Sequence, residues 1–398
     1  MNTLKFGNSE WYGSEGNILA YNDENGNFKP LPFDFSRGSS ATRVNKQGLI
    51  ETVGANDARV DYLDNANGAL LLEPTRTNLV TYSIPINSSP YNYAGGGVSP
   101  APIHTANQGI SPDGSLNAAK IDFNLNGGTT SSDISQISYV GSSLTGDYTS
   151  SFYLKSFDSN SYTVTLLNPN GVTSQTVITP EWQRFTFYNG GGTTSANLIR
   201  IRLRGSENTS NTASLLAWGF QLEQGSYPTS IINTQGSAQT RLADSCSQTP
   251  PDGVIGQTEG TMFFEIDFKN TSGVSGAWSI SNASSANRIT MNTTNLSSTQ
   301  FTLSVAQNYN SGSTKLASSN VKFSDKHKVA IKYSGTTLKL FVDGQLSDSV
   351  STDGFGNYTN FYVGGNQNGV GGDARKFIQA NLYNTALSDS ELAALTQV

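Results

Sequence analysis

One cysteine, Cys246, and two histidines, His104 and His327, are all that this 398-residue chain offers of the side chains that most often serve as thiolates, imidazole bases or soft metal ligands. A single thiol forms no disulfide within the chain, so the bridge-stapled extracellular modules are excluded and the fold rests on burial alone. Charge is scarce as well, at 14% of residues against roughly 25% in ordinary soluble domains. Lys and Arg number 24 against 30 Asp and Glu, giving a formal charge of −6. The basic residues are scattered singly, so no stripe exists for phosphates and nucleic acid is excluded as a partner. No apolar run approaches the roughly 20 residues of a membrane helix, and no membrane insertion is expected. Met1 to Glu10 lacks the basic and apolar regions of a signal peptide, so no secretion address is expected.

What fills the sequence instead is Gly, at 40 residues, with Ser, Thr, Asn and Gln. Hydrophobic residues at 35% suffice for several thin cores but not for helical bundles. Short alternating apolar and polar runs, separated by Gly, Asn, Asp or Ser, recur along the whole chain and predict an all-β fold. Asn25-Gly26 predicts a hairpin turn between Ile18-Leu19-Ala20-Tyr21 and Phe28 to Phe33, and Asp343-Gly344 a second one between Leu338 to Val342 and Gln345 to Val350. Further strands are predicted at 149–155, 161–167, 182–188, 197–203 and 215–222. Trp182 shares a face with Arg184 and Thr186, opposite the core face of Phe185 and Phe187. Ser388 and Glu391 form the pattern of a capping box, which predicts a single short helix near the C-terminal end.

Two prolines near Tyr82 to Pro90, and Ser-Cys-Ser-Gln-Thr-Pro-Pro-Asp-Gly at 245–253, mark breaks. The expected division is a β-rich segment over 1–82, a sandwich over 83–245, a linker over 246–256 and a second sandwich over 257–398. Cys246 then falls in the linker as an inert thiol.

Three stretches, Val329 to Gly335, Leu338 to Leu346 around Phe341-Val342-Asp343-Gly344, and Ala380 to Leu392, resemble the concanavalin A-like lectin/glucanase superfamily in its laminin G-like form. The resemblance covers roughly the last third of the chain and implies two curved antiparallel sheets. Thr179 to Phe185 and Ala217-Trp218-Gly219-Phe220-Gln221-Leu222-Glu223-Gln224-Gly225 resemble jelly-roll carbohydrate-binding modules. Phe33 to Asn45, Gly48-Leu49-Ile50-Glu51 and Leu70 to Leu79 resemble the N-terminal part of tailed-bacteriophage structural proteins. That last resemblance implies a virion component, of tail-fibre or capsid-decoration type, assembled in the host bacterial cytoplasm. Its expected partners are other virion proteins, surface glycans of a host or the environment, and further copies of itself in a homo-oligomer.

Glucanases of the lectin-like superfamily place their acids on one strand as Glu-x-Asp-x-Glu or Glu-x-Asp-x-x-Glu, because two carboxylates must flank the glycosidic bond. Here Glu265 and Asp267 are followed by Lys269 and Asn270, so the final acid is missing, and the pair is expected on the solvent side of a half-buried strand. Neither histidine lies in a nucleophile motif, and His327 reads as an exposed turn residue. No His/Cys metal spacing occurs. No cofactor is expected; loops such as Asp353 to Asn357 and Asn366 to Asp373 offer calcium oxygen ligands, but such turns need no ion.

Binding without catalysis remains, and neutral sugars are gripped by aromatic faces together with Asn, Asp, Gln and backbone groups. Tyr91, Tyr93, Tyr188, Tyr309, Phe355, Tyr358 and Tyr362 sit in or beside Gly/Asn-rich loops. The candidate glycan site is Tyr358 with Asn366, Asn368, Asp373 and Arg375. Arg37, Arg43, Arg59 and Arg76, with Glu51, Asp61 and Glu73, concentrate charge in the first segment. Arg37, Arg43, Arg76 and Glu73 are candidates for either ion pairs that fix this segment to the rest of the chain or contacts to another virion protein. A purely structural adaptor, and last a divergent glycan hydrolase, are the alternatives to a glycan-binding virion protein.

Overall fold

The computed structural model describes residues 3–7, 13–14, 17–24, 27–168, 170–171, 173–194, 196–268, 274–295, 300–312, 314–322, 326–366 and 375–398. They form two compact units. One is split along the chain, comprising Met1–Gly48, Thr52–Thr75 and Leu242–Val398, and the other is inserted within it, comprising Leu49–Glu51 and Arg76–Arg241. Both are built of antiparallel strands, as the alternation of the sequence predicts.

In the split unit one ladder of antiparallel pairs runs from Lys315–Lys322 through Gln300–Asn308, Arg288–Asn295, Val274–Ser281, Asn360–Val363, Ser245–Gln248, Asn27–Ser36, Asn17–Glu24 and Thr3–Gly7. It continues through Arg375–Tyr383, Glu259–Asp267, Lys326–Ser334 and Thr337–Val342 to Gln345–Ser351. Ala69–Leu72 adds to Arg375–Tyr383 beyond Thr3–Gly7. The enclosed core joins Phe33, Phe35, Leu70 and Leu72 from the first part of the chain to Phe264, Trp278, Ile331, Phe361 and Phe377 from the last. Phe264 stacks on Trp278 with ring centroids 4.6 Å apart.

This departs from the expected division in two places. Thr3–Gly7, Asn17–Glu24, Asn27–Ser36 and Ala69–Leu72 are strands of the same unit as 242–398, not of a separate segment. Ser245–Gln248, expected in a linker, is a central strand paired with Phe35 on one side and Val363 on the other through Cys246. Cys246 and Gln248 point inward and the two serines are half-buried. The alternation was there, but only one inward residue is apolar, so the strand reads as a polar break. Burial raises the Cys246 thiol pKa well above its ordinary range, with Asp244 and Asp34 adding to the rise, and the thiol is inert for that reason.

Both predicted hairpins form. Glu24 pairs with Asn27, while Asn25 and Gly26 themselves lie outside the described residues. Val342 pairs with Gln345 across Asp343 and Gly344, whose φ angles of 49° and 83° suit a two-residue turn. The helix Asp389–Leu395 carries its capping box: Ser388 Oγ accepts from the Glu391 amide, and Glu391 returns to the Ser388 amide. Leu392 packs on Phe263, Ala330 and Phe341, which closes the outer side of one sheet.

The inserted unit is a sandwich of two five-stranded antiparallel sheets. One orders Ile103–Ile110, Leu116–Asn124, Thr212–Gln224, Tyr148–Ser156 and Gln183–Asn189. The other orders Tyr91–Gly96, Ile134–Val140, Asn197–Arg204, Tyr162–Leu167 and Thr173–Ile178. All five strands predicted here are present. Ile121, Phe152, Leu215 and Phe220 face Ile137, Val164, Leu166 and Ile201 across the core. Phe185 and Phe187 pack against that core, whereas Trp182 is half-buried and donates its Nε1–H to the Ile110 carbonyl at 3.1 Å.

A candidate binding cleft in the inserted unit

The strand Thr212–Gln224 sets the site through a break in its own alternation. Leu215 and Ala217 face the core, and so do Phe220 and Leu222, so parity slips by one residue between them. Opposite the slip, Ser151 pairs with Gln221 and Tyr153 with Trp218, which leaves two residues facing Phe152. Gly219 sits at this bulge with φ of +68°, where a Cβ would meet the Tyr153 ring at 3.1 Å. The bulge turns Trp218 away from the core, where it is 1% exposed and meets Tyr153 edge to face at 5.7 Å.

A second segment is laid along this surface and tied down by one buried amide. Asn78 Nδ2 donates to the carbonyls of Ile232 (2.9 Å) and Phe220 (3.1 Å), and its Oδ1 accepts from the amides of Val80 and Leu222 at 3.0 Å each. Ser83 continues the tie, with its amide donating to the Thr234 carbonyl and its hydroxyl 2.8 Å from the Thr234 hydroxyl. Three rings hold the following backbone. Tyr91 Oη donates to the Tyr82 carbonyl (2.7 Å), Tyr93 Oη to the Ile86 carbonyl (3.1 Å), and His104 Nε2 to the Pro85 carbonyl (2.9 Å). Burial raises the pKa of both tyrosines far above the usual phenol range, so both stay protonated donors.

Between these elements lies a cleft of about 870 Å³ lined by Tyr82, Ser83, Pro85, His104, Asn107, Asp113, Asn117, Trp218, Asn233, Thr234 and Gln235, among others. The volume falls inside the roughly 300–1,000 Å³ of small-molecule sites. Its lining carries aromatic rings, amides and hydroxyls, one carboxylate and no Lys or Arg. Asp113 accepts from the Ser115 amide (2.8 Å), the Ser111 hydroxyl (2.5 Å) and Asn117 Nδ2 (3.4 Å). Two polar atoms of the wall are buried without a hydrogen-bond partner, Trp218 Nε1 and Asn117 Oδ1.

Of the residues expected to bind glycan, Tyr358 and Arg375 are buried. Tyr358 is 3% exposed and packs edge to face on Tyr333, so it is no stacking platform. It does border a smaller hollow of about 310 Å³ with Asp252, Gln257 and Asn357. Arg375 is 1% exposed and donates to the Gly276 carbonyl and to Thr293 Oγ1, the latter at 2.9 Å. Asn366 lies against Gly276 too, so these two are neighbours; Asn368 and Asp373 lie outside the described residues. Glu265 is half-buried and accepts from Gln379 Nε2 at 2.9 Å. Asp267, expected in solvent, is 3% exposed, because both faces of its strand are covered. His327, expected in an exposed turn, is 6% exposed in a strand, with Nδ1 2.6 Å from Asp343 Oδ2 and Nε2 3.0 Å from the Lys322 carbonyl.

The charge concentrated in the first segment is largely turned inward. Arg37 Nη1 pairs with Asp244 Oδ1 at 3.0 Å, and Arg59 pairs with Glu73 Oε2 at 2.6 Å and with the other oxygen of Asp244. All four side chains are buried within the split unit. Desolvation alone would lower the Arg59 pKa, but Asp244 and Glu73 outweigh it and raise it above the ordinary guanidinium value. Arg43 is half-buried, and Arg76, also half-buried, lies over the Tyr227 ring at 5.2 Å in the inserted unit. Arg37 and Glu73 are thus ion-pair residues of the interior and present no surface to a partner.

Reading the sequence alone missed His104, Asn117 and Trp218 as residues of one cleft, because the strand of Trp218, Thr212–Gln224, lies far along the chain from Ile103–Ile110 and Leu116–Asn124. One local signal was present: Trp218-Gly219 inside an otherwise alternating strand, where an isolated glycine marks a bulge. Among the described residues, no group of three or more His, Cys, Asp or Glu side chains is placed to hold a metal ion, and no helix is long and apolar enough to cross a membrane.

No protein-family model and no curated protein matches the chain. Among solved structures, it is similar to the carbohydrate-binding domain CBM40 of the Ruminococcus gnavus IT-sialidase, bound to α2,3 sialyllactose, with 19% identity over 36% of this chain and 84% of that one and a TM-score of 0.31. It is also similar to the leech intramolecular trans-sialidase, with 19% identity over 36% of this chain and 24% of that one and a TM-score of 0.30. A third similarity is to the SAP-like pentraxin of Limulus polyphemus, with 15% identity over 34% and 69% of the two chains and a TM-score of 0.27.

Proposed function

We propose that this chain is a non-enzymatic saccharide-binding component of a phage virion surface, and that the cleft beside Trp218 receives the sugar. The observation that carries the binding reading is the cleft's lining, in which aromatic rings and a ring of amide and hydroxyl groups surround a volume of about 870 Å³. Sugars present C–H faces and hydroxyls, and this lining is complementary to both. Support for the absence of catalysis comes from the same residues: glycoside hydrolysis needs two carboxylates across the bond, and Asp113 is the single carboxylate among the residues that line the cleft. The virion assignment is supported by the resemblance of Phe33 to Asn45 and Leu70 to Leu79.

The test is to apply the labelled full-length chain to an array of bacterial surface polysaccharides and, separately, to label intact particles with antibody against it. Saccharide binding without release of reducing ends, and labelling on the particle surface, are the expected results. Retention by other virion proteins with no saccharide bound makes the chain a structural adaptor instead. Depolymerisation of a polysaccharide by the purified chain overturns the non-enzymatic reading.

A further inference from the structure

We infer that the cleft beside Trp218 selects an uncharged saccharide and holds one of its hydroxyl groups between Trp218 Nε1 and Asn117 Oδ1, to the exclusion of sialic and uronic acids. The inference rests on the saccharide-binding reading above and narrows it to a chemical class.

Two atoms of residues that line the cleft are complementary in kind. The indole Nε1–H of Trp218 is a donor with no acceptor role, and Asn117 Oδ1 is an acceptor; each is buried and unpartnered, and both residues line the same cleft. A buried polar group without a partner is costly, and water, an ion or a ligand that reaches it relieves the cost. Several neighbouring groups are already satisfied. Asn117 Nδ2 already donates to Asp113, His104 already donates to the Pro85 carbonyl, and Ser83 and Thr234 are tied to each other. What the wall lacks is therefore a group that accepts one hydrogen bond and donates another. A hydroxyl does both. Water does so too, but one water fills only roughly 30 Å³, whereas the cleft offers about 870 Å³, room for a sugar ring whose hydroxyl replaces that water and reproduces its hydrogen bonds.

Charge decides between classes of sugar. No Lys or Arg lines the cleft and Asp113 does. A sugar carboxylate seated there would lose its hydration, find no cation and face an anion, which selects against it. A neutral hexose or N-acetylhexosamine meets no such penalty.

The experiment measures affinities of the full-length chain at pH 8 for neutral oligosaccharides and for matched sialylated and uronic-acid forms. Parallel measurements use Trp218→Phe, which keeps a ring and deletes the N–H, and Asn117→Ala, which deletes the acceptor. Each variant is expected to weaken neutral-sugar binding by roughly three- to tenfold while the far-ultraviolet circular dichroism stays unchanged. If Trp218→Phe does not fold, Asn117→Ala carries the test. Acidic sugars binding as well as neutral ones, with the same loss in the variants, would sink the selectivity and leave the saccharide reading standing. Neutral binding untouched by either variant would move the sugar elsewhere and overturn the inference. No binding of any saccharide would overturn both.

Discussion

At the scale of single residues, the buried charges of the split unit are fixed by mutual dependence. Asp244 serves Arg37 with one oxygen and Arg59 with the other, and its Oδ2 also accepts from the Glu73 amide at 2.8 Å. Removing one partner of such a group strands the others in a medium that solvates them poorly. Asp244→Ala is expected to cost about 3–5 kcal/mol of stability by denaturant titration, and a loss under about 1 kcal/mol would mean that water replaces the carboxylate. Asp133 makes a pH-dependent contribution in the inserted unit. The amide of Val98 and the hydroxyl and amide of Thr130 donate to its carboxylate and hold its pKa down to about 2, against an ordinary value of about 3.9. Because the folded value lies below the unfolded one, the contribution is complete above about pH 4 and is lost as pH falls through about 2. Thermal melts across that window are expected to show a fall that Asp133→Asn flattens, with no difference in slope between pH 5 and pH 7.

At the scale of elements, the last sandwich depends on strands from the opposite part of the sequence. Ala69–Leu72 contributes the fully buried Leu70 and Asn27–Ser36 contributes Phe33 and Phe35, and both segments pair along the edges of later strands. A fragment of residues 249–398 lacks these side chains and exposes the Arg375–Tyr383 and Asn360–Val363 edges. Such a fragment is expected to be aggregated or unfolded by circular dichroism, and recovery on adding residues 1–75 in trans would show the missing strands to be the cause. This dependence was not legible in the sequence, whereas the strands themselves were. Tyr148–Ser156, Tyr162–Leu167 and Thr212–Gln224 announce themselves by alternation within a few residues, and the helix by Ser388 and Glu391. Pairing between distant strands is a matter of register and leaves no local trace. The cleft was hidden for the same reason: Asn117 and Trp218 are each unremarkable in their own strand, and both come to line the cleft only once Leu116–Asn124 pairs with Thr212–Gln224. Tyr358 misled because an aromatic in a glycine-rich loop has the same appearance whether it faces solvent or, as here, Tyr333.

At the scale of the whole molecule, the described residues hold two large apolar clusters with no member in common, one for each unit. Each cluster is expected to melt as a cooperative transition of its own. Calorimetry of the full chain should therefore resolve two components, with Asp244→Ala lowering one and Asp133→Asn at pH 3 altering the other. A single transition that both variants shift equally would show that the two cores unfold as one.

The pairing of Thr3–Gly7 with Arg375–Tyr383 has a consequence for biosynthesis. On a ribosome Thr3–Gly7 emerges well before Arg375–Tyr383, the neighbour that covers its free edge, a delay on the order of tens of seconds at about 5–20 residues per second. Meanwhile the inserted unit, whose sandwich strands all lie between Tyr91 and Gln224, is free to condense. A nascent chain stalled before residue 375 should accordingly carry one finished body and one open ribbon, and holdase chaperones should be found on the ribbon.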